Sequence, residues 1–170
     1  MIPHMPADTT IRRAGERDVP ALGRLGAALM RTHFAFDERR FLAPGDDAES
    51  GYARFLGTQL QASDTLLMVA EQAAPDGSAG IVGYVYAGIE PLSWKELRDE
   101  AGFVHDLLVT PAARHTGVGL RLLDSAIEWL REQRMPRVVL WTATPNDGAR
   151  RLFEGRGFRS TMVEMTLELD

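Results

Sequence analysis

The chain has 170 residues, of which 45% are hydrophobic and 25% charged, enough apolar material for one packed domain and too much for a disordered chain. It contains no cysteine, which removes disulfides, thiolate zinc sites and any cysteine nucleophile. Twenty-four acidic residues against 19 basic ones give a formal charge of -5, the wrong balance for a domain whose main partner is nucleic acid. No apolar run approaches the roughly 20 residues that cross a bilayer. The first ten residues also lack the basic-then-apolar order of a signal peptide. These features lead to the expectation of a soluble, cytoplasmic protein without a membrane partner.

Met1 to Asp8 carries two prolines and little apolar content and reads as a flexible arm ahead of a single domain over 9–170. Thr9 to Ala14 reads as a strand. Asp18 stands where a helix would be capped, with Pro20 in the first turn, where its missing N–H costs nothing. Leu22, Leu25 and Leu29 then recur at three- and four-residue spacing, an apolar face running to about His33. A second helix is expected over Ala48 to Ala62, burying Tyr52, Phe55, Leu56 and Leu60, after a connection containing Pro44 and Gly45. Leu66 to Glu71 and Ile81 to Ile89 are rich in β-formers, and Pro75, Asp76, Gly77 and Ser78 mark a hairpin turn between them. Pro91 to Glu100 is polar, with a helical turn expected around Trp94 and Leu97. Phe103 to Val109 is a strand ended by Pro111. Leu120, Leu123, Ile127 and Leu130 form a helical stripe that stops before Pro136. Val138 to Thr142 is a nearly continuous apolar run, the pattern of a covered central strand. Asn146 to Glu154 reads as a helix ended by Gly155 and Gly157, and Met162 to Leu169 as a terminal strand. The order β-α-α-β-β-β-α-β-α-β-β describes an α/β (α+β) fold: a mixed, mainly antiparallel sheet with helices on both faces.

The chemistry concentrates between Val109 and Leu123. A strand ends, Pro111 follows, and Arg114, Gly117 and Gly119 stand immediately before an amphipathic helix. The first N–H groups of a helix have no intrahelical acceptor, and the macrodipole places about half a positive charge there. Glycines let a ligand approach that backbone, so the segment suits a phosphate or pyrophosphate. The pattern G-x-x-x-x-G-K-[S/T] is absent, and G-x-G-x-x-G fails because Leu122 takes the third glycine's place.

What remains, R-x-x-G-x-G at Arg114, Gly117 and Gly119, resembles the acyl-CoA pyrophosphate loop of the GNAT superfamily of N-acetyltransferases. The likeness extends downstream through the strand at Val138 to Thr142, Asn146, the short helix to Glu154 and the Gly157-Phe158 pair. The resemblance implies acetyl-CoA or another acyl-CoA, held by Arg114, His115, Thr116, Gly117, Val118 and Gly119. Asn146 and Phe153 stand at two further cofactor positions, although Asn146 next to Pro145 is equally read as a helix N-cap. The resemblance also implies that Leu107, Leu108 and Val109 offer exposed backbone to the pantetheine arm, as in strand addition to a sheet edge. The N–H of Leu108 or Val109 would then face the thioester oxygen.

Acyl transfer to an amine needs a base. An alkylammonium with a pKa near 10.4 is neutral in only about 0.04% of molecules at pH 7. On the strand before the loop stand His105 and Asp106, and the period of two would put them on opposite faces. His105 resembles one of two histidines proposed as catalytic in serotonin N-acetyltransferase, the other place being held by Phe103. Phe153 takes the position at which many family members carry an acidic tyrosine, so a non-catalytic acyl-CoA-binding module is the rival reading. The acceptor, a small-molecule or peptide amine, is expected against His33, Phe34, Glu90 and Trp94. The wall would extend to Phe36, Asp37 and Phe41. No metal is called for, and a homodimer is compatible with the sequence.

Overall fold

A computed structural model describes residues 8–73 and 76–169; residues 1–7 of the expected arm and Pro75 of the expected turn lie outside the described residues. Strand β1 (Thr9–Arg13) leads into helices α1 (Val19–Phe36) and α2 (Ala48–Gln59). Strands β2 (Thr65–Ala73), β3 (Ala79–Glu90) and β4 (Ala101–Val109) follow, then α3 (Val118–Glu132), β5 (Val138–Leu140) and α4 (Asp147–Gly155). The strands form one sheet in the order β1-β2-β3-β4-β5, antiparallel except for the parallel β4–β5 pair. The mixed, mainly antiparallel sheet expected from the sequence is present.

Each face of the sheet has its own core. Leu22, Leu25 and Leu29 of α1 and Leu56 of α2 pack on Leu67, Val69, Tyr84, Tyr86 and Leu108. On the other face Val118, Leu122, Leu123, Ala126 and Leu130 of α3, with Phe153 of α4, cover Leu66, Val85, Ala87 and Val104. Helices therefore flank both faces, as the alternating strand patterns require.

The seam between α1 and α2 is made by glycine. A Cβ on Gly26 would lie 1.9 Å from the Tyr52 ring, and one on Gly23 would lie 2.6 Å from the Glu49 carbonyl. The two helices approach so closely only because these positions are bare. At the start of α1, Asp18 is buried but its carboxylate does not cap the helix. It accepts from the Gly15 N–H at 2.8 Å and from Arg12 Nη1 at 2.7 Å, while Arg12 also reaches Glu71 at 2.9 Å. These charge-assisted bonds fasten the β1–β2 pair to the entry of α1.

Three local expectations are corrected. Around Trp94 and Leu97 there is no helical turn: Ser93 and Arg98 exchange backbone hydrogen bonds at 2.8 and 3.0 Å, closing a small hairpin. The run at Val138 to Thr142 is not a covered central strand, because β5 ends the sheet and its three residues are half-buried. The strand expected over Met162 to Leu169 joins no ladder, so the last two strands of the expected order are absent among the described residues.

Gly26→Ala should force α2 off α1, an overpacking loss of about 1–3 kcal/mol. For a domain of this size the melting temperature in a thermal scan should fall by several degrees, and Gly51→Ala, where no atom lies within 4 Å of the added Cβ, should not lower it comparably.

Candidate active site

The pairing of β3 with β4 slips by one residue at a single place. Tyr86 faces Asp106, yet its neighbour Ala87 faces Val104, so His105 is the extra residue of a β-bulge. The period of two breaks there. Val104, Leu107 and Val109 point to the α3 face, whereas Leu108 joins the core under α1 and α2. His105 and Asp106 consequently share that second face. The His105 ring lies 4.8 Å from Tyr86, and Asp106 accepts from Tyr84, which is on the same face of β3 as Tyr86. The opposite-face expectation is corrected, and the bulge is its cause.

The two side chains have different surroundings. The His105 imidazole is stacked on Phe103 at 5.6 Å and tilted against Tyr86, with Nε2 3.1 Å from Glu90 Oε1. The Glu90 carboxylate thus stands within ion-pair distance of the ring. Asp106 Oδ2 instead accepts from Tyr52 at 3.0 Å and Tyr84 at 2.9 Å. Burial pushes the Asp106 carboxyl above the usual range; the two tyrosine donors, His105 and His33 act in the opposite direction. Burial first, and the neighbouring Asp106 second, push Tyr52 and Tyr84 upward too and push Tyr86 up to about 12, so the phenols remain donors.

Beside His105 opens a cavity of about 190 Å³, lined by Glu90, Glu96, Arg98, Phe103, Val104 and Trp141 as well. The Arg98 guanidinium sits 4.7 Å over the Phe103 ring, with Nε 2.8 Å from Glu96, and Trp141 meets Phe103 edge-on at 6.1 Å. Glu96 and Arg98 were not legible as site residues, because the 93–98 hairpin that folds back on β4 has no periodic signature, and Trp141 read as part of the apolar run of β5. Of the expected acceptor wall, Glu90 is in the cavity. Trp94 stands 82% exposed at the hairpin tip and does not line it. His33 lies at the end of α1, its Nδ1 3.0 Å from the Leu29 carbonyl and its ring against Phe36 and Phe41. Phe34 is half-buried beside it. A larger depression of about 460 Å³ lies along the α1–α2 connection, between Arg31 and Ser50, and contains none of these groups.

Beyond the bulge, β4 leaves β5. The parallel ladder covers only residues 102–104, so 105–109 have no strand neighbour on that side among the described residues. The Thr110 N–H donates to Val82 at 2.8 Å, and in an antiparallel ladder alternate residues face alternate sides. Leu108 therefore turns its N–H toward Tyr84 on β3, while Leu107 and Val109 present theirs to the open side. The Val109 carbonyl on that side accepts from Arg114 Nε at 3.2 Å.

The loop follows directly. His115 at φ 63° and Gly117 at φ 86° wind it into the first turn of α3, and the Thr116 hydroxyl donates to the Ala113 carbonyl at 2.6 Å. Val118 is buried and anchors the turn. A Cβ on Gly119 would meet Leu152 and Val109 at 3.6 Å, ordinary contact, so packing alone does not demand glycine there. Open N–H groups, an exposed Arg114 and bare glycines fit an anionic diphosphate. Asn146 caps α4, accepting from the Ala149 N–H at 3.3 Å, and Phe153 is buried in the α3-side core against Phe158.

A mixed sheet that parts between β4 and β5 beside a glycine-rich helix start, with helices on both faces, is the class of fold present here. The profile of the Acetyltransferase (GNAT) family matches residues 28–158, and the chain belongs to that family. An uncharacterised N-acetyltransferase of Archaeoglobus fulgidus is 34% identical over 93 residues, 55% of this chain and 59% of that protein. A mycothiol acetyltransferase of Acidothermus cellulolyticus is 34% identical over 95 residues, 56% of this chain but 24% of that protein. The matched stretch thus spans little more than half of the first relative and a quarter of the second. Among solved structures, a mutant BH1408 protein from Bacillus halodurans superposes with a TM-score of 0.74 at 20% identity, covering 94% of this chain and 99% of that one. The aminoglycoside N-acetyltransferase AAC(6')-Iy in complex with CoA gives 0.72 at 19% identity, covering 99% of both chains. At such identities the likeness is one of fold.

Asp106→Ala should leave two tyrosine hydroxyls without their acceptor and cost about 2–4 kcal/mol in urea unfolding. Because the folded carboxyl is raised, the native chain keeps a proton that the unfolded chain has released. Stability should therefore decline as pH climbs from about 4 through the folded titration. Asp106→Asn, which retains an acceptor, should flatten that decline.

Proposed function

We propose that this protein is an N-acyltransferase that moves an acyl group, acetyl in the simplest case, from acyl-CoA to a primary amine by direct transfer in a ternary complex. The observation that carries this reading is the bulge, which sets His105 beside a cavity and next to the open edge of β4 that leads to the Arg114–Gly119 loop. The loop N–H groups with Arg114 would hold the diphosphate, and Leu107 and Val109 would pair with the pantetheine amides. Bound acyl-CoA supplies the activated thioester. One of the same two open N–H groups is placed to donate to its carbonyl oxygen.

His105 is the base we assign. Glu90 stands beside Nε2, and the ring would take the ammonium proton directly or through one water. Asp106, committed to two tyrosines, positions α2 against the sheet instead. With Glu96 paired to Arg98, the Glu90 carboxylate and the aromatic walls at Phe103 and Trp141 favour a cationic acceptor. Phe153 cannot donate a proton, and a thiol with a pKa near 8.5 departs without a protein acid or with water as donor. A binding module of the same fold would take up CoA and turn over no amine.

Acetyl-CoA titrated into the protein should release heat and raise its melting temperature. Gly119→Phe should remove both effects while leaving the circular dichroism spectrum intact; unchanged affinity would sink the loop assignment. With an amine acceptor found by panel, His105→Gln should lower kcat by about 10²–10⁴-fold. Glu90→Gln should lower it less. Full activity of both variants would remove His105 as the base.

A further inference from the structure

The gap beside β4 has a second bank. Leu140, the last residue of β5, packs against the α3-side core, and Trp141 turns to the opposite face, where it meets Phe103 and lines the cavity at His105. Alternation then returns Thr142 to the α3 side. The Thr142 hydroxyl oxygen is shut away from solvent and has no hydrogen-bond partner among the described residues. The β4–β5 register sets Val104 against Leu140, and extending it by two residues puts Thr142 level with 106. That is opposite the stretch of β4 that has lost its strand neighbour.

A buried hydroxyl left without a partner costs free energy, and native chains rarely keep one without a use for it. Phe153, at the position where many family members carry an acidic tyrosine, is buried in the core on the same face and has no proton to donate. Thr142 therefore brings to this side of the gap a donor that Phe153 lacks.

We propose that Thr142 Oγ1 donates a hydrogen bond to the sulfur of CoA and holds the thiolate as it leaves. The inference rests on acyl-CoA lying in this gap, as in the transfer reaction above. His105 stands on one face of the sheet and Thr142 on the other, so amine and leaving group are served from opposite sides. As the N–C bond forms, the C–S bond breaks and its electron pair passes to sulfur. The ammonium proton goes to His105. Thr142 keeps its own proton, and water later supplies the one that makes the thiol. A hydrogen bond to an anion is roughly twice as strong as one to a neutral acceptor, so this contact strengthens as charge builds on sulfur.

The test is calorimetric titration of the full chain with CoA and with desulfo-CoA, in which hydrogen replaces the thiol; neither measurement needs turnover. Wild type should prefer CoA by about tenfold at pH 9, where most of the free thiol is ionised, and by less at pH 7. Thr142→Val should bring the ratio near one at both pH values without lowering the melting temperature of the free protein, since no native hydrogen bond is lost. Thr142→Ser, which keeps the hydroxyl, should retain the preference. Equal binding of the two ligands by wild type overturns the proposal, as does a preference that survives in Thr142→Val. Failure of both ligands to bind would remove the acyl-CoA reading and this inference with it, whereas equal binding removes this inference alone.

Discussion

The site depends on one extra residue in β4. A regular strand would have sent His105 and Asp106 to opposite faces, one under α3 and one under α1 and α2. The bulge opposite Tyr86 turns both to the same face and re-aims the rest of the strand. It also falls where β4 parts from β5, so a single local irregularity places the imidazole and coincides with the opening of the sheet edge. Bulges cost ladder hydrogen bonds. Here the loss is offset on both sides, by tyrosine hydroxyls on Asp106 and by Glu90 with two aromatic rings around His105.

That irregularity is braced from a distance. Tyr52 reaches Asp106 only because α2 lies close against α1, and α2 lies so close only because Gly23 and Gly26 carry no side chain. The chain of constraint runs from two bare helix positions, through an aromatic ring, to a carboxylate adjacent to the proposed base. Each link is short-range packing or a hydrogen bond, and none touches a substrate.

Most of the framework was legible in the sequence because it rests on period. The leucine stripe of α1, the β-rich runs of β2 and β3, and the Arg114–Gly119 segment before α3 follow from spacing, and the structure places them as expected. What was not legible came from contacts between segments distant in sequence. The bulge leaves no mark in composition, since His105 and Asp106 look like ordinary alternating residues until Tyr86 and Ala87 are seen opposite. The Ser93–Arg98 hairpin is polar and aperiodic, so Glu96 and Arg98 entered the site only with the fold. Val138 to Thr142 read as a central strand because its residues have that character, while β5 stands at the edge of the sheet.

One contact outside the site bears on how the molecule is handled. Arg121, one turn into α3, donates to the Thr9 carbonyl at 2.9 Å. The chain therefore enters its first strand within a helical turn of the glycine loop. A charge introduced at Thr9 or Thr10 would therefore stand near the start of α3 and add to the field at the loop proposed for the diphosphate. Choosing the charge of the first strand is, for this fold, also a choice about the electrostatics of that loop.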